Sequence, residues 1–145
     1  MVEYRESSII SDLDAAYLAG LIDGEGTITL SKIKKSCVYK STDISVASTT
    51  MDLLTFCRDT TNIGFISSKK NYKKHHKPSW TWRSRANQQN LVLLKQIIHY
   101  MKEPLKKKRA EKILSELEYL TVRNGRYSDD QKKRKLLFEK EFFEL

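Results

Sequence analysis

The chain has 145 residues, of which 27 are Lys or Arg and 18 are Asp or Glu, giving a formal net charge of +9. That length suits a single domain, which we expect to span residues 1–145 around one core, and the positive charge favours a polyanionic partner. No apolar run is long enough for a membrane span and no signal peptide is visible, which predicts a soluble, intracellular protein of the cytoplasm, nucleoid or organelle matrix, without a membrane partner.

The first predicted helix carries two acids at its end. Residues 11–14 form an S-x-x-D pattern, which is typical of a helix N-terminus, so we place this helix at about residues 12–25. Gly26 then ends the helix, and the β-branched run that follows it predicts a strand. Asp23 and Glu25 lie at this junction.

Small residues occupy one face of this helix. Ala16, Gly20 and Gly24 recur at intervals of four, so they lie along the same face. Each glycine inside a helix costs roughly 1 kcal/mol relative to alanine, and tight packing against another helix is the natural compensation. The pattern therefore predicts a close contact with a second helix.

The next two predicted strands form a hairpin with one polar face. They cover residues 27–34 and 38–47 and are joined by a tight, basic connection at residues 34–36. Alternation predicts that one face carries short polar side chains, namely Thr27, Thr29, Ser31, Ser41, Asp43 and Ser45. In a basic protein, such a ribbon fits the major groove of DNA.

A second hairpin is predicted after a short amphipathic helix at residues 51–60. Its strands cover residues 62–66 and 80–85, and a strongly basic segment joins them. Alternation in the second of these strands places Trp80 and Trp82 toward the core. The opposite side of that strand, which faces a ligand, carries Thr81, Arg83 and Arg85.

Cysteine and histidine form no recognisable metal site in the sequence. Cys37 and Cys57 lack CxxC spacing, so we predict that they are reduced residues that serve packing. His75 and His76 have no acidic or thiol ligand nearby, and this favours a solvated loop that faces phosphate.

The remainder of the chain is predicted to be helical. Apolar residues recur at helical spacing from residue 87 to about residue 102, and again over residues 105–120. A C-terminal helical extension at about residues 127–145 is expected to pack on the back of the domain. The coarse order is therefore helix, hairpin, helix, hairpin and further helices.

Residues 18–26, Leu-Ala-Gly-Leu-Ile-Asp-Gly-Glu-Gly, resemble the motif of the LAGLIDADG homing endonucleases. They depart from it only at Gly24, where the family has alanine, and at Glu25, where it has aspartate. The resemblance implies an α+β fold with an αββαββα core, in which helices cover one face of a four-stranded, antiparallel, saddle-shaped sheet. Because only one motif is present, it also implies a homodimer that meets through the motif helices at Ala16, Gly20 and Gly24.

The same resemblance implies the chemistry. Glu25 and its copy in the partner would be catalytic and would share divalent ions, Mg²⁺ or Mn²⁺, with the Gly24 carbonyl as a further metal ligand. Oxygen ligands of this kind suit magnesium. The family's pocket lysine corresponds to Lys106, with Lys108 as the alternative, whereas Asp23 is expected to be structural.

The implied function is that of a site-specific endonuclease, of the kind encoded in introns and other mobile elements, which makes a double-strand break at a long pseudo-palindromic DNA site. The predicted DNA-binding residues are polar strand residues and basic loop residues: Thr27, Thr29, Ser31, Lys34, Ser41, Asp43, Ser45, Ser67, Lys69, Lys73, Lys74, Thr81, Arg83 and Arg85. Two alternatives stay open, an RNA-binding maturase with intron RNA as its partner and a cleavage-inactive DNA-binding protein of the same fold. Ser48, which stands where the family often has a longer amide, bears on the second alternative.

Overall fold

Helices and strands follow one another along the chain in the predicted αββαββα order. The computed structural model describes residues 6–68, 77–121 and 125–145. In chain order the elements are α1 (Asp12–Glu25), β1 (Gly26–Ser31), β2 (Ser41–Ser48), α2 (Met51–Thr61), β3 (Phe65–Ser68), β4 (Trp80–Ser84), α3 (Asn87–Ile97), α4 (Pro104–Lys112) and α5 (Asp129–Phe143). A 3₁₀ turn, Ile98–Tyr100, extends α3, while a π-helical turn, Ile113–Leu117, and a short α-helical segment, Glu118–Leu120, extend α4. Within the ranges described, no helix is long and apolar enough to cross a membrane.

The four strands form one antiparallel sheet in the order β1-β2-β4-β3. The two hairpins therefore join through β2 and β4, which become the central strands. In this register Asp43 lies opposite Thr29 of β1, and Ser45 lies opposite Arg83 of β4. Helices α1, α2 and α3 pack against one face, so the predicted α+β class and the open four-stranded sheet are confirmed.

The hydrophobic core lies between the sheet and these three helices. Trp82 of β4 is fully buried there, together with Leu18 and Ile22 of α1. A buried indole N–H requires a partner, and that of Trp82 donates to the Ile63 carbonyl at 2.9 Å. Trp80 is half-buried against the same core. The prediction that both tryptophans face the core is therefore confirmed.

The connection between β1 and β2 is longer than predicted. It covers residues 32–40, so the tight connection expected at residues 34–36 is wrong. The backbone N–H of Lys40 donates to Glu139 Oε1 of α5 at 2.5 Å. Because this donor is engaged with the C-terminal helix, it is not available to extend the hairpin ladder toward β1.

The C-terminal helix α5 packs against α4 through its apolar residues and through charged groups. Phe138 and Phe142 of α5 are buried, and the Arg109 guanidinium of α4 lies 5.3 Å from the centre of the Phe142 ring. Lys112 of α4 donates to the Glu141 carboxylate at 2.9 Å. The other large apolar residues of α5 remain exposed, namely Leu136, Leu137 and Phe143.

The two free thiols differ in burial and should therefore differ in reactivity. Cys57 lies in the core, and that burial raises its pKa to about 12, whereas Cys37 is half-exposed in the β1–β2 connection. We expect iodoacetamide at about pH 8 to label Cys37 in the native protein and to leave Cys57 unmodified until the protein unfolds. Mass spectrometry of the labelled peptides checks this. In the Cys37→Ser control the native protein should take up no label, and rapid labelling of Cys57 would contradict its burial.

Candidate active site and nucleic-acid interface

The junction between α1 and β1 is closely packed and leaves Glu25 exposed. The backbone N–H of Gly26 donates to the Ile22 carbonyl, and this bond ends the helix. A β-carbon at residue 26 would lie 2.7 Å from the Cα of Ile22, so any larger residue would force the backbone to shift. The side chain of Glu25, one residue earlier, is open to solvent. The close contact therefore fixes the backbone at the point from which this carboxylate projects.

Lys106 of α4 reaches the same junction. Its Nζ donates to the carbonyl of Ile22 at 3.1 Å and to the carbonyl of Asp23 at 2.7 Å. The last carbonyls of a helix lie at the negative end of its dipole, where a cation is stabilised. Lys108, the alternative pocket lysine, is exposed on α4. Of the two candidates, Lys106 is the one with bonds to the end of the motif helix.

Two acids hold the start of α4 against the end of α1. Asp23 Oδ2 accepts the backbone N–H of Lys102 at 2.7 Å, which is in keeping with the structural role predicted for Asp23. Glu103 caps α4, because its carboxylate accepts the backbone N–H groups of Lys106 at 2.6 Å and Leu105 at 3.3 Å. These bonds, that of Lys106 foremost, lower the pKa of Glu103. The position of Lys106 is therefore fixed through its backbone as well as its amine.

Apart from Tyr17, whose ring packs edge-on against Phe56 at a centroid distance of 5.1 Å, one face of α1 has no neighbour in the part of the chain that the structure describes. Ala16, Gly20 and Gly24 are exposed on it, and a β-carbon added at either glycine would meet nothing within 4 Å. Beside them Leu13 is 85% exposed and Tyr17 is 54% exposed. Since the opposite face of α1 is buried in the core, the helix separates the core from a bare surface of small and apolar residues.

The sheet face turned away from the helices carries most of the predicted DNA-binding side chains. Exposed or half-buried along this face are Thr27, Thr29, Ser31, Ser41, Ser45, Ser67, Thr81, Arg83 and Arg85. Lys34 is exposed in the connection between β1 and β2. Lys69, Lys73 and Lys74, together with His75 and His76, lie outside the described residues.

Asp43 lies on this polar face but is almost buried, so it is not the free, groove-facing acid that alternation indicates. Its Oδ1 lies 3.2 Å from Arg83 Nε, and its Oδ2 lies 3.3 Å from Arg85 Nε. The Ser31 hydroxyl also donates to Oδ2, at 2.6 Å. The Asp43 side chain is 4% exposed, against 46% for Arg83 and 34% for Arg85. The acid therefore sits beneath two guanidinium groups that reach solvent.

A single copy of the chain offers few metal ligands. Among the described residues, no three His, Cys, Asp or Glu side chains come together. Gly24 and Glu25 are exposed residues at the end of α1, and a backbone carbonyl and a carboxylate are oxygen donors of the kind that suits Mg²⁺. One carboxylate and one carbonyl are enough for a metal site only if water, substrate or a second copy completes the ligand set.

Several solved structures that share this fold are homing endonucleases. I-CeuI, a group I intron-encoded homing endonuclease complexed with DNA, aligns with a TM-score of 0.62 over 93% of this chain and 68% of that chain, at 15% identity. I-TnaI aligns with a TM-score of 0.58 over 88% and 86% of the two chains, at 16% identity. I-CvuI in complex with its target aligns with a TM-score of 0.53 over 88% and 95%, at 14% identity.

Within that class, the chain belongs to the LAGLIDADG endonuclease family. The sequence model of that family matches residues 18–119, from the first residue of the motif through the extension of α4. The family membership expected from the motif is therefore confirmed. No curated protein matches the chain.

Removal of the Glu103 cap tests how α4 is held beside the motif helix. Because folding lowers the pKa of Glu103 from its ordinary value of 4.5, its contribution to stability is present above that value and is lost as the pH falls through the lowered pKa. We expect Glu103→Ala to lower the Tm at neutral pH, and the difference from the unmodified protein to shrink in acid. Thermal melts followed by circular dichroism measure both effects. Glu111→Ala, at an exposed position of the same helix, is the control, and an equal loss in the two variants would contradict the capping role.

Proposed function

We propose that this chain is one subunit of a homodimeric homing endonuclease that hydrolyses both strands of a long, pseudo-palindromic DNA site with the help of divalent metal ions. The observation that carries the proposal is the exposed carboxylate of Glu25, which projects from the end of a helix whose outer face is bare. Family membership supports nuclease chemistry at this position.

The bare face of α1 supports a dimer. Two copies of this face can meet about a two-fold axis, because a symmetric contact uses the same surface on both subunits. Gly20 and Gly24 would let the two backbones approach closely, while Leu13 and Tyr17 would lose their exposure to water. Such a contact would also bring together the two copies of Glu25, which follows this face along the helix. A complete site would then contain one acid from each subunit.

The donors at the end of α1 fit Mg²⁺ or Mn²⁺ in such a dimer. Each subunit would hold the ions through Glu25 and the carbonyl of Gly24. When bound, such ions neutralise charge on the phosphodiester and make a bound water more acidic. Structures of the related I-CvuI with its DNA have been determined in the presence of calcium and of magnesium. Lys106, whose amine lies at the same helix end, would add positive charge near the scissile phosphate.

The polar face of the sheet would bind DNA and set the sequence preference. Its short hydroxyl groups and its arginines can reach base edges in the major groove, whereas lysines of the connecting loops would meet phosphates. The net charge of +9 supports the attraction to a polyanion. Incubating the purified protein with a duplex DNA library and Mg²⁺, and then sequencing the cut ends, tests the proposal directly. Preferential binding of structured intron RNA without cleavage of DNA would favour the maturase alternative.

Glu25→Gln tests the catalytic acid. The amide keeps the shape of the side chain but loses the charge that would hold the metal, so we expect cleavage to be abolished. Specific binding should stay within about tenfold, or about 1.4 kcal/mol. Cleavage of a selected target in Mg²⁺ and binding in EDTA measure the two quantities. Glu111→Gln is a control with the same change of charge at an exposed position, and a Glu25→Gln variant that cuts at the normal rate would overturn the assignment.

Substitutions at Gly20 test the dimer interface. Within one chain an added β-carbon at this position meets nothing, so Gly20→Ala should not disturb the subunit and should favour its helix by roughly 1 kcal/mol. Gly20→Leu, in contrast, should dissociate the dimer, because a close-packed contact between two backbones leaves no room for the side chain. Sedimentation velocity of both variants measures the association. A Gly20→Leu dimer as stable as that of the unmodified protein would place the interface elsewhere.

A further inference from the structure

We propose that Asp43 is a positioning residue. It orients the guanidinium groups of Arg83 and Arg85 before DNA binds, so that each can donate two hydrogen bonds to one guanine base in each half-site. This inference rests on the DNA-binding role proposed for the sheet face, and it names what that face recognises. It also gives Asp43 a function different from direct contact with a base.

The contacts within the cluster determine which edge of each guanidinium is free. Arg85 Nε donates a hydrogen bond to Asp43 Oδ2 at 3.3 Å, whereas Arg83 Nε lies 3.2 Å from Oδ1 as an ion pair without hydrogen-bond geometry, so Oδ1 has no hydrogen-bond partner among the described residues. A guanidinium held on its Nε side keeps its outer edge, formed by Nη1 and Nη2, directed away from the carboxylate. The exposure of both arginine side chains agrees with this orientation. Each arginine therefore offers a pair of parallel donors to whatever lies on the sheet.

Guanine is the base whose major-groove edge matches two parallel donors. It presents two adjacent acceptors, N7 and O6, whereas adenine presents an acceptor beside a donor and cytosine presents a donor. Phosphate also accepts a fork of this kind. However, Arg83 lies on β4, a central strand, and Arg85 directly follows that strand, so a duplex resting on the sheet would turn its groove toward them. The geometry therefore favours bases over the backbone.

The buried carboxylate reduces the entropy that the arginines would lose on binding. Long side chains lose rotamer freedom when they are fixed on a ligand, and a side chain that is already held loses less. Asp43 holds Arg85 by a hydrogen bond to Oδ2 and attracts Arg83 through the charge of Oδ1, so its two oxygens serve different partners. The Ser31 hydroxyl fixes the carboxylate from the neighbouring strand β1. The pair is thus arranged before any DNA is bound.

The spacing of the two arginines limits the spacing of the bases. Positions two residues apart on one face of a strand are separated by about 7 Å along the chain. Base pairs follow one another at about 3.4 Å, so the two guanines should lie within about two base-pair steps of each other. This spacing should recur, inverted, in the other half-site of a symmetric target.

Selection from a randomised duplex library in EDTA tests the base preference without any cleavage. The unmodified protein should enrich two guanines at this spacing. Arg83→Lys and Arg85→Lys retain the charge but lose the fork, so each should lose the preference for one guanine, by about 5- to 150-fold. Asp43→Asn should weaken both preferences together. The control is Asp59→Asn, which alters an exposed pair with Arg58 on α2 and should leave the selected sequence unchanged.

Nitrogen-15 NMR of the free protein separates positioning from a loss of structure. The Nε–H signal of Arg85, which donates to Asp43, should exchange slowly with water in the unmodified protein and rapidly in Asp43→Asn, while the backbone spectrum of the variant remains that of a folded protein. An unchanged base preference in Asp43→Asn would overturn the proposal. So would lysine variants that weaken binding to all sequences alike, because that result indicates phosphate contacts.

The nuclease function and the positioning role of Asp43 would fail in different ways. Guanine selection without cleavage in Mg²⁺ would contradict the nuclease function and support the role of Asp43. Cleavage without guanine selection would do the reverse. A protein that binds duplex DNA with no base preference would contradict both the sequence-specific function and the positioning role.

Discussion

The contact between Gly26 and Ile22 is the constraint on which the site depends. Strand β1 begins so close to the end of α1 that residue 26 has no room for a side chain. Only glycine allows the backbone to take this path. The carbonyls of Ile22 and Asp23 at this helix end also accept the amine of Lys106, which comes from a distant part of the chain. Helix α1, strand β1 and helix α4 are thereby held together at one point, and Glu25 projects from it.

Two carboxylates of this protein differ in role because their surroundings differ. Asp43 is nearly buried and lies beside two arginines and a hydroxyl, so its charge is matched within the fold. Glu25 is exposed, and the described residues include no ion pair with it. A buried acid whose charge is paired can orient its neighbours, whereas an exposed acid remains able to bind a ligand. The same chemical group is therefore suited to orienting its neighbours in one place and to binding a ligand in another.

Local patterns in the sequence were enough for the elements and for the faces of the strands. The β-branched runs and their alternation placed Trp82 in the core and Arg83 on the opposite side, because both properties depend on neighbours along the strand. Alternation does not show how deeply a side chain is buried, however. Alternation assigns Asp43 to the correct face, but the burial of its carboxylate depends on Arg83 of β4 and on Arg85 just after that strand.

Contacts between distant segments account for the predictions that the sequence left open or wrong. The choice between Lys106 and Lys108 depends on carbonyls of α1, more than eighty positions earlier, and helix phase alone gave no preference. Leu13 and Tyr17 are also exposed, and their spacing of four beside the small residues is the signal for this in the sequence. Spacing along a helix shows which residues share a face, but only packing shows whether that face is covered.

The bond between Lys40 and Glu139 also has a consequence for the order in which the protein is built. Its two partners are separated by 99 positions, and all four strands precede α5 in the chain. On the ribosome the strands and the first three helices are therefore available for pairing well before α5 is made. The contact of the β1–β2 connection with α5 can therefore form only once α5 has emerged from the ribosome.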